Sequence, residues 1–178
     1  MDRRRLTLAL ALAAPLGLGA CGFQPLYAIT GVTAGLESVD VHVPQNRAGF
    51  LLHEQLDDEL SRDRQAPARY RLNLRLDEKR YPRGLRVNNV ASDFELDMRV
   101  DYDLIDASNS KKLISGSAPV TVFYVSADAP YAGIAAQQDA QERAASQAAI
   151  QIRLDLSRYF ARQAGKAAAA SAAPVAVK

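Results

Sequence analysis

The residues with the most distinctive chemistry stand at Leu18-Gly19-Ala20-Cys21, where Cys21 is the sole cysteine of 178 residues. An apolar residue, two small ones and then cysteine form a bacterial lipobox. The small side chains let a signal peptidase reach the backbone, and the thiol sulfur takes a diacylglycerol. A lone thiol is a liability in an oxidising compartment, and acylation removes it. The expected chemistry at Cys21 is therefore covalent: a diacylglycerol on sulfur and an N-acyl chain on the new amino terminus, with no other cofactor. More than one acyl chain gives stable membrane anchoring, where a single chain is marginal.

The preceding residues support that reading. Arg3, Arg4 and Arg5 are followed by an uncharged run from Leu6 to Ala20, 15 residues long. That is short of the roughly 18–20 needed to span a bilayer as a helix and fits a signal peptide. Residues 1–20 thus read as a leader. Residue 22 is Gly where Asp would signal retention at the inner membrane, so the expected location is the periplasmic face of the outer membrane.

Other side chains with catalytic or ligating potential are sparse. His42 alternates with valines, and His53 lies four residues before Asp57, a pair that could hold a metal or orient a base. Two ligands are too few for a closed zinc site. No nucleophile elbow, phosphate loop or HExxH motif occurs. The expectation is a non-enzyme with no catalytic residue and no metal. Removing the leader takes Arg3, Arg4, Arg5 and Asp2 with it, and the formal charge falls from +2 to zero. A neutral chain lacks the basic stripe of a nucleic-acid binder.

The elements that would position anything functional follow from periodicity. Residues 21–37 read as a lipidated tether, 38–162 as one folded domain and 163–178 as a disordered Ala-rich tail. Val39, Val41 and Val43 alternate in a short strand stopped by Pro44. Asn46 can cap a helix to about Arg62, with Leu52, Leu56 and Leu60 in its stripe and Phe50 beside them. Arg69–Lys79 and Asp93–Asp103 alternate apolar even positions with polar odd ones, the pattern of half-buried antiparallel strands. Lys111–Val125 is a third strand with both faces apolar near its end, so it is covered on both sides or meets a partner. A helix from about Ile134 to Arg162 closes the domain. The expected fold is α+β: a four-stranded, mostly antiparallel sheet with two helices on one face, in the order strand–helix–strand–strand–strand–helix.

Charge is segregated along the central hairpin. Arg62–Arg86 carries nine basic residues against Asp63, Asp77 and Glu78, whereas Val87–Asp106 carries Arg99 against six acids. Pairing positions that sum to 172 would set Arg75 on Asp97, Arg71 on Asp101, Leu74 on Met98 and Leu72 on Val100. Such cross-strand pairs are worth roughly 0.2–1 kcal/mol each. The remainder is Arg80, Arg83 and Arg86, expected at the turn as a cationic tip whose guanidinium forks suit phosphate. Lys111 and Lys112 form a second basic point between the next two strands.

The opening Cys21-Gly-Phe-Gln-Pro-Leu-Tyr27, with Phe123-Tyr-Val-Ser and Asp128-Ala-Pro-Tyr-Ala before an Ala/Gln-rich helix, resembles the LptE family of LPS-assembly lipoproteins. The likeness runs from Cys21 to about Arg162. It implies the sandwich fold, a plug position in the lumen of the outer-membrane β-barrel LptD, assistance in that barrel's assembly, and lipopolysaccharide binding through basic residues. Cys21 transfers as the lipid attachment site, and Arg80, Arg83, Arg86, Lys111 and Lys112 as candidate ligands. The alternative is a freestanding envelope lipoprotein that binds an amphiphile or another envelope component. Mass spectrometry of membrane-isolated protein is expected to find a chain starting at an acylated Cys21, and Cys21→Ser to release the protein from the membrane.

Overall fold

The computed structural model describes residues 31–85, 91–126 and 130–172, so Cys21 and Arg86 lie outside the described residues. In chain order the elements are helix α1 (Val32–Glu37), strand β1 (Val39–His42), helix α2 (Arg47–Leu60), strands β2 (Tyr70–Leu85), β3 (Ala91–Asp106) and β4 (Lys112–Val125), and helix α3 (Pro130–Ala172). The strands form one sheet in the order β1-β2-β3-β4. β1 runs parallel to β2 because α2 crosses over between them, and the other pairs are antiparallel. The α+β fold with a mostly antiparallel sheet is therefore as the alternation implied, with α1 as an additional helix.

α2 begins where Asn46 accepts a hydrogen bond from the Gly49 amide at 2.7 Å, satisfying a donor the first turn leaves free. Leu51, Leu52, Leu56 and Leu60 face the core, and Phe50, expected beside that stripe, is 67% exposed. Leu51 takes the place instead, one helical step round.

The inner face of the sheet presents Leu72, Leu74, Leu96, Met98, Val100, Tyr102, Leu104, Val120 and Val122 to the helices. α3 meets it with Ala140, Ala144, Ala145, Ala148 and Ala149, all fully buried. Side chains this small bring the helix backbone close to the sheet and leave no room for a larger residue. Lower down, Ile152, Leu156 and Phe160 fill the space that opens beneath α2 and α1. Tyr102 reaches through this layer to donate its hydroxyl to Asp155 at 2.9 Å. Burial first, and then that carboxylate, holds its pKa far above the ordinary tyrosine value. The ring lies over Gly116, where a Cβ would sit 2.3 Å from the hydroxyl oxygen.

The register departs from the expected one. Leu74 faces Tyr102 rather than Met98, Leu72 faces Leu104 rather than Val100, and Arg75 faces Asp101 rather than Asp97. Each β2 residue meets a partner four positions further along. Both strands continue into the stretch read as a loop, pairing Arg80 with Leu96, Tyr81 with Glu95 and Pro82 with Phe94. Four is an even number, so every side chain keeps its face. Alternation cannot distinguish registers that differ by two or four; the added ladder over Arg80, Tyr81 and Pro82 favours the longer one.

Two terminal expectations also change. Part of the tether is folded: Val32 and Leu36 of α1 are buried, and a Cβ on Gly35 would lie 2.7 Å from the Phe160 ring. Six residues are too few for helical periodicity to register, and only the Phe160 surface makes their burial possible. At the other end residues 163–172, expected to be disordered, continue α3. Alanine has the highest intrinsic helix propensity, which suffices for extension from a helix already nucleated.

The outer face of the sheet is open and charged. Asp103, 7% exposed, accepts Ser115 Oγ at 2.7 Å and lies 3.0 Å from Lys112 Nζ and 3.2 Å from Arg75 Nη1. These donors come from both neighbouring strands, and with Ser115 contributing most they hold the Asp103 pKa at about 2, below the ordinary 3.8. The ionised group therefore adds stability in full above 3.8 and loses it as pH falls through about 2. Asp103→Asn is expected to lower unfolding free energy by about 2 kcal/mol at neutral pH. The difference from the parent should shrink between pH 4 and pH 2 in urea titrations.

Candidate functional site

The upper end of the hairpin is built differently from its lower half. On the inner face β2 changes from Leu72, Leu74 and Leu76 to Glu78, Arg80 and Pro82. α3 meets this change with glutamines one turn apart. Gln141 Nε2 donates to both Glu78 oxygens at 2.8 and 3.1 Å, and Gln137 Oε1 accepts from Arg80 Nη1 at 2.7 Å. The Arg80 guanidinium also sits 5.1 Å from the Phe94 ring centroid. Arg80 and Arg83 are thus strand residues, not turn residues, a correction that follows from the longer register. Arg83 forks onto Glu95, with Nε and Nη2 at 2.6 and 2.7 Å from its two oxygens. Glu95 raises the Arg83 pKa through that hydrogen bond and then through its charge. The geometry brings Arg80 and Arg83 to one end of the sheet.

Lys111 and Lys112 lie at the opposite end, beyond the β3–β4 turn, where Lys112 pairs with Asp103. Ten residue positions of β3 separate the Ile105 row from the Glu95 row, about 34 Å along the strand. The two basic points cannot serve one headgroup.

Apolar groups gather at the hairpin end. Tyr81, Glu95 and Phe123 share a row on the open face, and Phe123 and Val125 are each 63% exposed. Tyr131 and Ile134 of the first turns of α3 are exposed beside them. β4, apolar on both faces near its end, is therefore covered on one side by α3 and bare on the other. Next to Tyr81 a shallow cleft of about 240 Å³ is lined by Asp77, Lys79, Asp97, Arg99, Pro119 and Thr121. Lys79 bonds to Asp77 at 3.1 Å, which raises its pKa, and Arg99 has no ion pair among the described residues. Cations beside exposed aromatic and aliphatic groups suit a ligand that is anionic at one part and apolar at another.

The free edge of β4 is guarded. Phe123 turns its carbonyl outward to Arg143 Nη2 at 3.4 Å, so the alternate residue Pro119 would direct its N–H to the same edge and has none to offer.

The histidines form surface pairs. His42 Nε2 lies 2.9 Å from Asp40, and His53 Nδ1 lies 3.7 Å from Asp57, whose carboxylate also takes Arg64. Among the described residues no three potential ligands come together as a metal site. No described helix is long and apolar enough to cross a membrane.

A two-layer domain with an open charged sheet face, an amphipathic hairpin end and a long helix along its back is an architecture shared with solved lipoproteins. Residues 36–156 match the family model LptE, lipopolysaccharide-assembly, and the chain belongs to that family. It is a non-enzymatic family of lipopolysaccharide-assembly lipoproteins that need no cofactor. A crystal structure of a protein of Caulobacter crescentus described as a lipoprotein shares 49% identity over 74% of this chain and 96% of that one, with a TM-score of 0.66. The rare lipoprotein B of Shewanella oneidensis shares the fold at 15% identity and TM-score 0.51, covering 68% of this chain and 92% of its own. A minor lipoprotein of Acinetobacter baumannii does so at 16% identity and TM-score 0.52, covering 69% and 92%. No curated protein matches the chain.

Sequence reading missed Glu78, Gln137 and Gln141. The available signal was the four-residue spacing of the glutamines on the Ala-rich helix, which puts them on one face. Gln141→Ala would leave a half-buried carboxylate without its donor and is expected to destabilise by about 1–3 kcal/mol in denaturant titration. Arg83→Ala would leave the Glu95 carboxylate, 12% exposed, without its fork and is likewise expected to lower the unfolding midpoint.

Proposed function

We infer that this chain is a lipid-anchored subunit of the outer-membrane lipopolysaccharide translocon, attached through acylated Cys21, that plugs the β-barrel LptD and assists its assembly. It binds lipopolysaccharide at the hairpin end for delivery to the outer leaflet. The observation that carries this reading is the hairpin end itself, which collects Arg83, Arg99 and the exposed Tyr81, Phe123 and Val125 on the open face, with Arg80 on the helix side of the same end. A molecule with phosphates on a sugar core and several acyl chains offers both kinds of partner. Arg86 lies outside the described residues and stays a candidate from the sequence alone. Arg83 Nη1 stays outside the fork onto Glu95 and would donate to a phosphate oxygen. The open sheet face, with charges of both signs in alternating rows, suits the polar lumen of a barrel. Lys111 and Lys112 remain a separate candidate contact at the far end.

Detergent extraction is expected to bring this protein out with a large β-barrel; recovery as a monomer throughout would favour the freestanding lipoprotein instead. Arg80→Ala/Arg83→Ala/Arg86→Ala is expected to weaken lipopolysaccharide binding with the domain still folded by circular dichroism. Unchanged affinity at low and moderate salt would remove the hairpin end from the binding surface.

A further inference from the structure

The last turns of α3 are not explained by packing. Phe160 is its last large core residue, yet the helix continues to Ala172 with alanines exposed and nothing within 4 Å of a Cβ placed on Gly165. From Arg162 onward it runs about 16 Å past the core at 1.5 Å per residue. Its charged residues are Arg162 and Lys166, which continue from Arg158 at four-residue spacing along one side. Arg158 is tied to Asp155 at 2.9 Å, whereas Arg162 and Lys166 have no ion pair among the described residues. From Leu156 to Lys178 the sequence holds four basic residues and no acid.

The same end receives the N-terminal segment. Gly31, the first described residue, packs so that a Cβ there would lie 3.9 Å from that of Ala164, between the two cations in sequence. Ten residues separate it from Cys21, a reach of at most about 35 Å. An acyl chain on Cys21 therefore keeps the projecting helix within that distance of the leaflet holding the lipid. The carboxylates at this end without an ion pair among the described residues are Glu37, Asp58 and Asp63, on the β1–α2 side, and Asp106, which is held by Ser108.

We propose that residues 161–172 of α3 form a foot that docks Arg162 and Lys166 on the phosphates of anionic phospholipids in the leaflet holding the anchor. This rests on the lipid-anchored reading above. The contact is electrostatic, because alanine offers too little apolar surface to insert. It holds the Gly31 end of the domain at the leaflet surface.

The test is amide hydrogen exchange of residues 161–172 in the full acylated protein, its acylation checked by mass, on phosphatidylcholine vesicles with and without phosphatidylglycerol. Exchange should slow about five-fold or more on the anionic vesicles, the scale of one surface cation at an anionic membrane. The slowing should vanish at about 0.5 M salt and in Arg162→Gln/Lys166→Gln, with strand exchange unaltered. Equal exchange on both vesicles, or slowing that survives in the double variant, would overturn the foot. So would protection that appears only with the barrel partner and ignores lipid charge. Should the mass show no acyl chain, the anchored reading fails by itself. Sedimentation of that chain with the same vesicles then decides the foot: loss of binding in the double variant supports it, and no binding refutes it.

Discussion

The close seating of α3 on the sheet is the contact on which the other features depend. Five fully buried alanines between Ala140 and Ala149 let the helix backbone approach the valines of β4 and the Met98–Tyr102 stretch of β3. Replacing any of them with a larger side chain would lift the helix and open the layer that also holds α2. Once seated, α3 acts as a rigid bar the length of the sheet. Its first turns supply Gln137 and Gln141 to the hairpin end, and its later turns supply Phe160 to α1 and Ala164 to the incoming chain.

The sheet divides its labour by parity. Even positions of β2, β3 and β4 make the core, while odd positions make the open face, where carboxylates of β3 lie between cations of β2 and hydroxyls of β4. Asp103 shows how this works, accepting from Ser115 and lying between Arg75 and Lys112. Such a face is satisfied within itself, yet its pairs remain exposed enough to be exchanged for those of a partner. The hairpin end departs from parity: its inner positions are polar and its outer ones partly apolar, which suits a surface for an amphiphile better than a core.

Membership of a lipopolysaccharide-assembly lipoprotein family gives these features a common setting. The relative from Caulobacter crescentus, at 49% identity, shares the same fold over most of both chains. The two ends of α3 serve different parts of the fold, one packing near Gly31 and the other supplying Gln137 and Gln141 to the hairpin end.

Much of this was legible in the order of residues. The strands at 69–79 and 93–103, the helix capped by Asn46 and the two apolar faces at the end of β4 follow from local pattern, because period two and period 3.6 are set by backbone geometry, whereas the family likeness rested on the motifs at Cys21 and Phe123. Phe50 shows the limit, since a stripe drawn through leucines did not say which of two adjacent residues faces inward. Registry was another, because a shift of four leaves every face unchanged and only the ladder between Arg80 and Phe94 decides it. The fate of Arg80 and Arg83 went with it, from a free loop to a ring, an amide and a carboxylate. The folding of α1 was likewise invisible, since six residues gain a buried side only when Phe160 of a distant helix supplies it. Local sequence determined the elements and their faces. Tertiary structure alone decided which cations remain available, because that depends on partners brought from elsewhere in the chain.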